Sequence, residues 1–154
     1  MPLLIGMNLI RVGGVLFVLL ALAGRLAGPF PYSAGLGDFL TGALAIPVAW
    51  LATKGSPNHN RFIAPWNAFG ALELIVAVVL GITSRNGSPI QLIHAGVGTA
   101  AMTALPWALV PTVLVPFFLI AHSIVFAQLR VQMARETAAR SISTGMFEPR
   151  LVRP

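Results

Sequence analysis

Phe62-Ile-Ala-Pro-Trp-Asn-Ala-Phe-Gly-Ala-Leu-Glu-Leu-Ile-Val-Ala-Val-Val-Leu-Gly-Ile-Thr83 is the stretch that decides the fold. A helix crosses about 30 Å of hydrocarbon with roughly 20 apolar residues. This stretch reaches that length with one ionisable side chain, Glu73. Three others approach it, at about 9–26, 34–53 and 106–129. Backbone polar groups in lipid need partners within their own segment, so each is expected to be a helix. The chain therefore reads as all-α, an integral membrane bundle of four transmembrane helices over residues 1–129 with a basic tail over 130–154.

Composition leaves little room for another class. Of 154 residues, 56% are hydrophobic and 9% charged, and mean hydropathy is +0.84. Soluble domains carry about a quarter charged residues, so this chain cannot clothe a water-exposed surface. Cysteine is absent, which excludes disulfides, thiolate metal sites, CxxC redox motifs and covalently attached c-type haem. Arg11 followed by Val12 to Ala23, with Ala21-Leu22-Ala23 behind, has the outline of a signal peptide. Because the remainder is itself membrane-embedded, the stretch is expected to stay as the first helix.

The connections and the charges give a topology. Gly28-Pro29-Phe30-Pro31 breaks the chain before the second span, and Lys54-Gly-Ser-Pro-Asn-His-Asn-Arg61 makes a short polar turn before the third. Ile90 to Leu105 is mildly apolar but short for a span, and is expected as an interfacial or re-entrant helix; a fifth crossing is the alternative. Lys54, Arg61 and five tail arginines (Arg130, Arg135, Arg140, Arg150, Arg153) fall on one side of a four-span bundle, against Arg25 and Arg85 on the other. Lysine and arginine near span ends mark the cytoplasmic side, which puts both termini there. Trp50 and Trp66 near one boundary and Tyr32 and Trp107 near the other fit an interfacial belt. The tail reads as a contact for anionic headgroups rather than nucleic acid, since no nucleic-acid motif accompanies it. Its helical character over Gln128 to Arg140 would let it extend span four or lie on the membrane surface, with 141–154 irregular unless a partner holds them.

Helices in lipid gain nothing from mutual hydrophobicity, so they pack through small residues. Asp38, Thr41, Gly42, Ala45, Ala49 and Ala52 share a face of span two; Gly70, Glu73, Ala77 and Gly81 share one of span three; Arg11, Gly14 and Ala21 lie together on span one. Each small face also carries a charged group. A charge at mid-bilayer costs about 2.5–3.5 kcal/mol or more, so such groups turn inward and find partners. Asp38 is expected within reach of Arg25 or Arg85. Glu73, Asn67 and His122, with Arg11 approaching from span one, are expected to form a polar intramembrane pocket. They would serve a proton, an ion or a small polar ligand, or else simply fix helix pairing by hydrogen bonds worth about 0.6 kcal/mol each.

His94 and His122 are the histidines that could approach haem b, but they fall at different depths and cannot readily clamp one iron. No cofactor is expected, with haem b as the alternative. Pro47, Pro111 and Pro116 interrupt spans two and four and read as kinks. No nucleophile–base pair, phosphate loop or metal-ligand cluster is present, so enzyme activity is not expected. Gly35-Leu-Gly37 and Gly96-Val-Gly98 lack the strand–turn–helix setting of a nucleotide site.

Gly35-Leu-Gly-Asp-Phe-Leu-Thr-Gly42, Pro65-Trp-Asn-Ala-Phe-Gly-Ala-Leu-Glu-Leu-Ile-Val-Ala-Val78 and Leu114-Val-Pro-Phe-Phe-Leu-Ile-Ala-His122 carry a resemblance. Over about residues 35–128 the chain resembles a group of small four-helix bacterial inner-membrane proteins without assigned activity. The Phe69-Gly-Ala-Leu-Glu73 run is also faintly similar to DoxX-like four-helix proteins. The resemblance implies a bacterial inner membrane and no chemistry. The leading expectation is an accessory or scaffold subunit of a larger membrane complex, or a homo-oligomer. The alternatives are a small carrier handling a proton, ion or solute through its carboxylates, and a haem- or quinone-associated redox protein.

Overall fold

A computed structural model describes residues 1–54 and 59–145, and every regular element in them is helical. Four helices are long and apolar enough to cross a membrane. α1 is Pro2–Leu22, α2 is Phe30–Thr53 and α3 is Asn60–Thr83. A single π turn, Val110–Leu114, leads into α4, Val115–Gly145. Large apolar side chains on the outer arcs, among them Leu3, Leu22, Leu72 and Ile120, are exposed on the isolated bundle. On a chain of this composition those arcs are the lipid face.

The element boundaries correct several expectations. The first span starts at Pro2, well before residue 9, because proline is pre-organised for the opening turn of a helix. It ends at Leu22 rather than Leu26, since Gly24 turns the chain with φ +68°. No continuous interfacial helix forms over 90–105. Pro89 and the left-handed Gly96 and Gly98 break it, leaving turns and one 3-10 turn at Ala100–Thr103. At the far end α4 runs past residue 129 through the first part of the tail, with Arg130 and Arg135 exposed on it. The irregular tail expected over 141–154 falls largely outside the described residues; 141–145 continue the helix.

The turns after α3 fold back over one end of the bundle. The backbone N–H groups of Leu92 and Ile93 donate to the Thr83 carbonyl, Ala27 N–H donates to Gly98, and the Thr99 hydroxyl donates to Gly81. Two apolar clusters fill the two ends of the interior. Ile5, Ala45, Ile63, Trp66, Val125 and Leu129 pack at the end nearest the tail. Phe17, Leu26, Phe30, Ala34, Ala77 and Met102 pack beneath the connector. Between them lies a polar layer.

Candidate functional site

The winding of α1 builds this layer. Its middle, Asn8–Gly14, is 3-10 helix, where residues three apart eclipse one another. Asn8, Arg11 and Gly14 are therefore its buried residues, and Ile5 and Phe17 continue the stripe at the same spacing in the flanking α turns. The whole stripe lies against α2. Gly42 permits the approach: a Cβ there would come within 2.6 Å of the Val12 backbone nitrogen.

Arg11 stands at the centre of the polar layer and is 4% exposed. Its Nε–H donates to Asp38 Oδ1 of α2 at 2.6 Å. Nη1 donates to the Gly70 carbonyl of α3 at 3.2 Å and faces His122 Nε2 of α4 at 3.1 Å. Nη2 donates to Glu73 Oε2. Four of the guanidinium's five N–H groups are thus engaged, by groups from three other helices. A planar, five-donor fork suits several acceptors at once, as a point-like ammonium would not.

Donor accounting then fixes the histidine. Arginine cannot accept, so His122 Nε2 is the acceptor and the ring proton sits on Nδ1. Nδ1–H donates to Asn67 Oδ1 at 2.8 Å, and Asn67 Nδ2 donates back to the His122 carbonyl at 3.0 Å. The imidazole is neutral, with both nitrogens engaged. An iron ligated here would have to displace Arg11 or Asn67. The layer consequently holds one guanidinium and two carboxylates, a formal charge of −1. Glu73 Oε1 is buried and accepts no hydrogen bond among the described residues. Asp38 Oδ2 likewise receives none there.

Two glycines admit these side chains. A Cβ at Gly37 would strike the Glu73 side chain. One at Gly70 would lie 2.6 Å from His122 Cε1.

A cavity of about 420 Å³ starts at Asp38 and runs between Phe17, Leu74, Ala77 and Val115 to Arg85 and Thr103, both exposed at the connector end. A smaller one, about 240 Å³, lies beside Arg11 and Asp38 between α1 and the run into α4, walled by Gly13, Leu16, Trp107 and Leu114. Asp38 borders both. Ligand pockets span about 300–1,000 Å³, are mostly apolar and hold few polar groups. The larger cavity has that size and character.

Residues 1–130 match the family described as a domain of unknown function, DUF8737. The chain belongs to that family. The match takes in all four helices' contributions to the polar layer and stops short of the basic end of α4. Neither a curated protein nor a solved structure matches the chain.

Arg11, Asp38, Asn67, Glu73 and His122, singled out from the sequence, lie together in this DUF8737 chain. Asp38 finds Arg11 rather than Arg25 or Arg85, because the early start of α1 carries Arg11 to mid-span. Trp66 is buried, not interfacial: its indole N–H donates to the Thr41 carbonyl at 3.1 Å and its ring packs 5.6 Å from the His122 ring. Asn8 and Thr41 are also buried in the layer's surroundings, and sequence reasoning named neither as a site residue. Asn8's spacing of three from Arg11 is the signal that would have found it.

Proposed function

We propose that the protein is a small membrane carrier that handles a proton or solute through its intramembrane carboxylates. One observation carries this reading: Asp38 is bonded to the buried Arg11 and also lines two apolar cavities. A purely structural ion pair gains nothing from bordering empty space, whereas a site that exchanges protons or ligands requires it. The reading places the protein in a bacterial inner membrane with both termini cytoplasmic. The lysine and arginine bias between the two sides and the resemblance over residues 35–128 support that placement.

Reconstitution tests the function. Liposomes holding the protein and a trapped pH dye should show a proton leak, or a solute-dependent proton movement, above empty liposomes. Glu73→Gln and Asp38→Asn should each lower it several-fold. Flux at the level of empty liposomes from monodisperse protein would count against a carrier. An accessory subunit, recognised by what co-purifies in mild detergent, would then be the better account.

A further inference from the structure

The cavities and the charge count together select a ligand, given that the cavities are a binding site as proposed above. Arg11, the cation of the layer, is already held by two carboxylates, a carbonyl and an imidazole. An anionic ligand would have to break those bonds and add charge to a layer that is already formally negative. Apart from one Nη2–H of Arg11, what remains unmatched in the charged cluster are acceptors: Asp38 Oδ2 at the cavity foot and Glu73 Oε1 just behind it. Their complement is a donor carrying positive charge.

The walls describe the rest of the molecule. Phe17, Leu74 and Val115 border both cavities and offer only hydrocarbon. The route is equally one-sided. α1 packs along α2 over its whole length, but meets α4 chiefly through its first turns, Pro2–Met7. Beyond those turns the smaller cavity lies in the seam between α1 and the run into α4, with Ile10 and Leu16 exposed at its rim. That rim faces the acyl chains. The other mouth, at the connector end, is bordered by Arg85, which repels a cation. Around Asp38 the charged and titratable groups are Arg11 from α1, Glu73 from α3, His122 from α4 behind Arg11, and Arg85 at the distant mouth.

We infer that the site takes a lipophilic amine in its ammonium form, which arrives from the bilayer through the seam between α1 and α4. The ammonium sits on Asp38 Oδ2 and the hydrocarbon body fills the two cavities. A proton occupies the same charge deficit when the amine is absent, so binding exchanges one for the other.

Nitroxide quenching of tryptophan tests this in phosphatidylcholine nanodiscs. Trp50, exposed on the outer surface, is changed to Phe, leaving Trp66 beside His122 and Trp107 in the smaller cavity. Three probes of equal chain length carry the same nitroxide: dodecylamine, dodecanol and dodecyl sulfonate. Saturable quenching by the amine is expected, competed by unlabelled dodecylamine and weakened roughly tenfold or more by Asp38→Asn. Gly13→Phe, which places a ring at the wall of the smaller cavity, is expected to abolish it, and a Cβ at Gly13 meets nothing within 4 Å, so the backbone there admits a side chain. Should Asp38→Asn fail to fold, Gly13→Phe and the probe comparison still decide the matter. Saturable quenching by dodecanol or the sulfonate that equals or exceeds the amine's would overturn the ammonium assignment and leave the binding cavity standing. Amine quenching unchanged in Gly13→Phe would overturn the lateral route. No saturable quenching by any probe would overturn both the inference and the cavity reading beneath it.

Discussion

Arg11 has more to lose by truncation than any neighbour, since its removal strands the buried Glu73 carboxylate, the half-buried Asp38 carboxylate and the acceptor nitrogen of His122. Breaking a buried charge pair by deleting one partner costs about 3–5 kcal/mol. Arg11→Ala should therefore lower the thermal midpoint in detergent by many degrees or prevent folding, and Arg11→Lys should fall between, because one ammonium cannot reach all four acceptors. A Lys variant as stable as the native chain would mean the guanidinium's fork does not matter. The glycines make a sharper comparison. Gly70→Ala drives a methyl into the His122 ring, whereas Gly81→Ala meets Phe30 at an ordinary 3.4 Å. Gly70→Ala should destabilise while Gly81→Ala, gaining up to about 1 kcal/mol of helix propensity, should be neutral or better; equal midpoints would refute the packing described. These five polar residues were legible in sequence because lipid makes a charge costly wherever it stands. Trp66 was not, because an amphipathic ring suits an interface and a buried carbonyl equally, and only packing chooses between them.

At the level of helices, the long apolar runs were legible and their ends were not. Span length follows from hydropathy, but a helix stops where a particular residue turns the backbone, as Gly24 does after α1 and Gly96 and Gly98 do in the connector. The winding of α1 was hidden for a related reason. A projection at 3.6 residues per turn groups Arg11 with Gly14 and Ala21, whereas the 3-10 segment groups it with Asn8. α1 also gives the signal-peptide question a physical consequence: cleavage after Ala23 would remove Arg11 and leave the carboxylates unpaired. Intact-mass measurement of protein taken from membranes should find residues 1–23 still attached. A mature chain beginning at Gly24 would remove the basis of the whole site.

For the molecule as a whole, topology is open to an unusually clean test because the chain contains no cysteine. Ser88→Cys in the connector and Ser141→Cys on the terminal part of α4 are both at positions free of the charged layer. In intact cells an impermeant maleimide should label Cys at 88 alone, and both after permeabilisation; the reverse pattern would invert the proposed orientation. The four-span architecture was readable from composition and the packing faces from periodicity, while the pairing of Asp38 with Arg11 was not, since periodicity names a face and not its partner. That pairing bears on how the chain is made. Arg11 precedes all of its partners in the chain, and a central arginine weakens insertion by about 2.5–3.5 kcal/mol. The debt is cleared first by Asp38 in the next helix to emerge. α1 and α2 should consequently go in together as a hairpin: in a translation–translocation assay with engineered glycan acceptors, α1 alone should integrate poorly and the α1–α2 pair well, with Asp38→Ala undoing the gain.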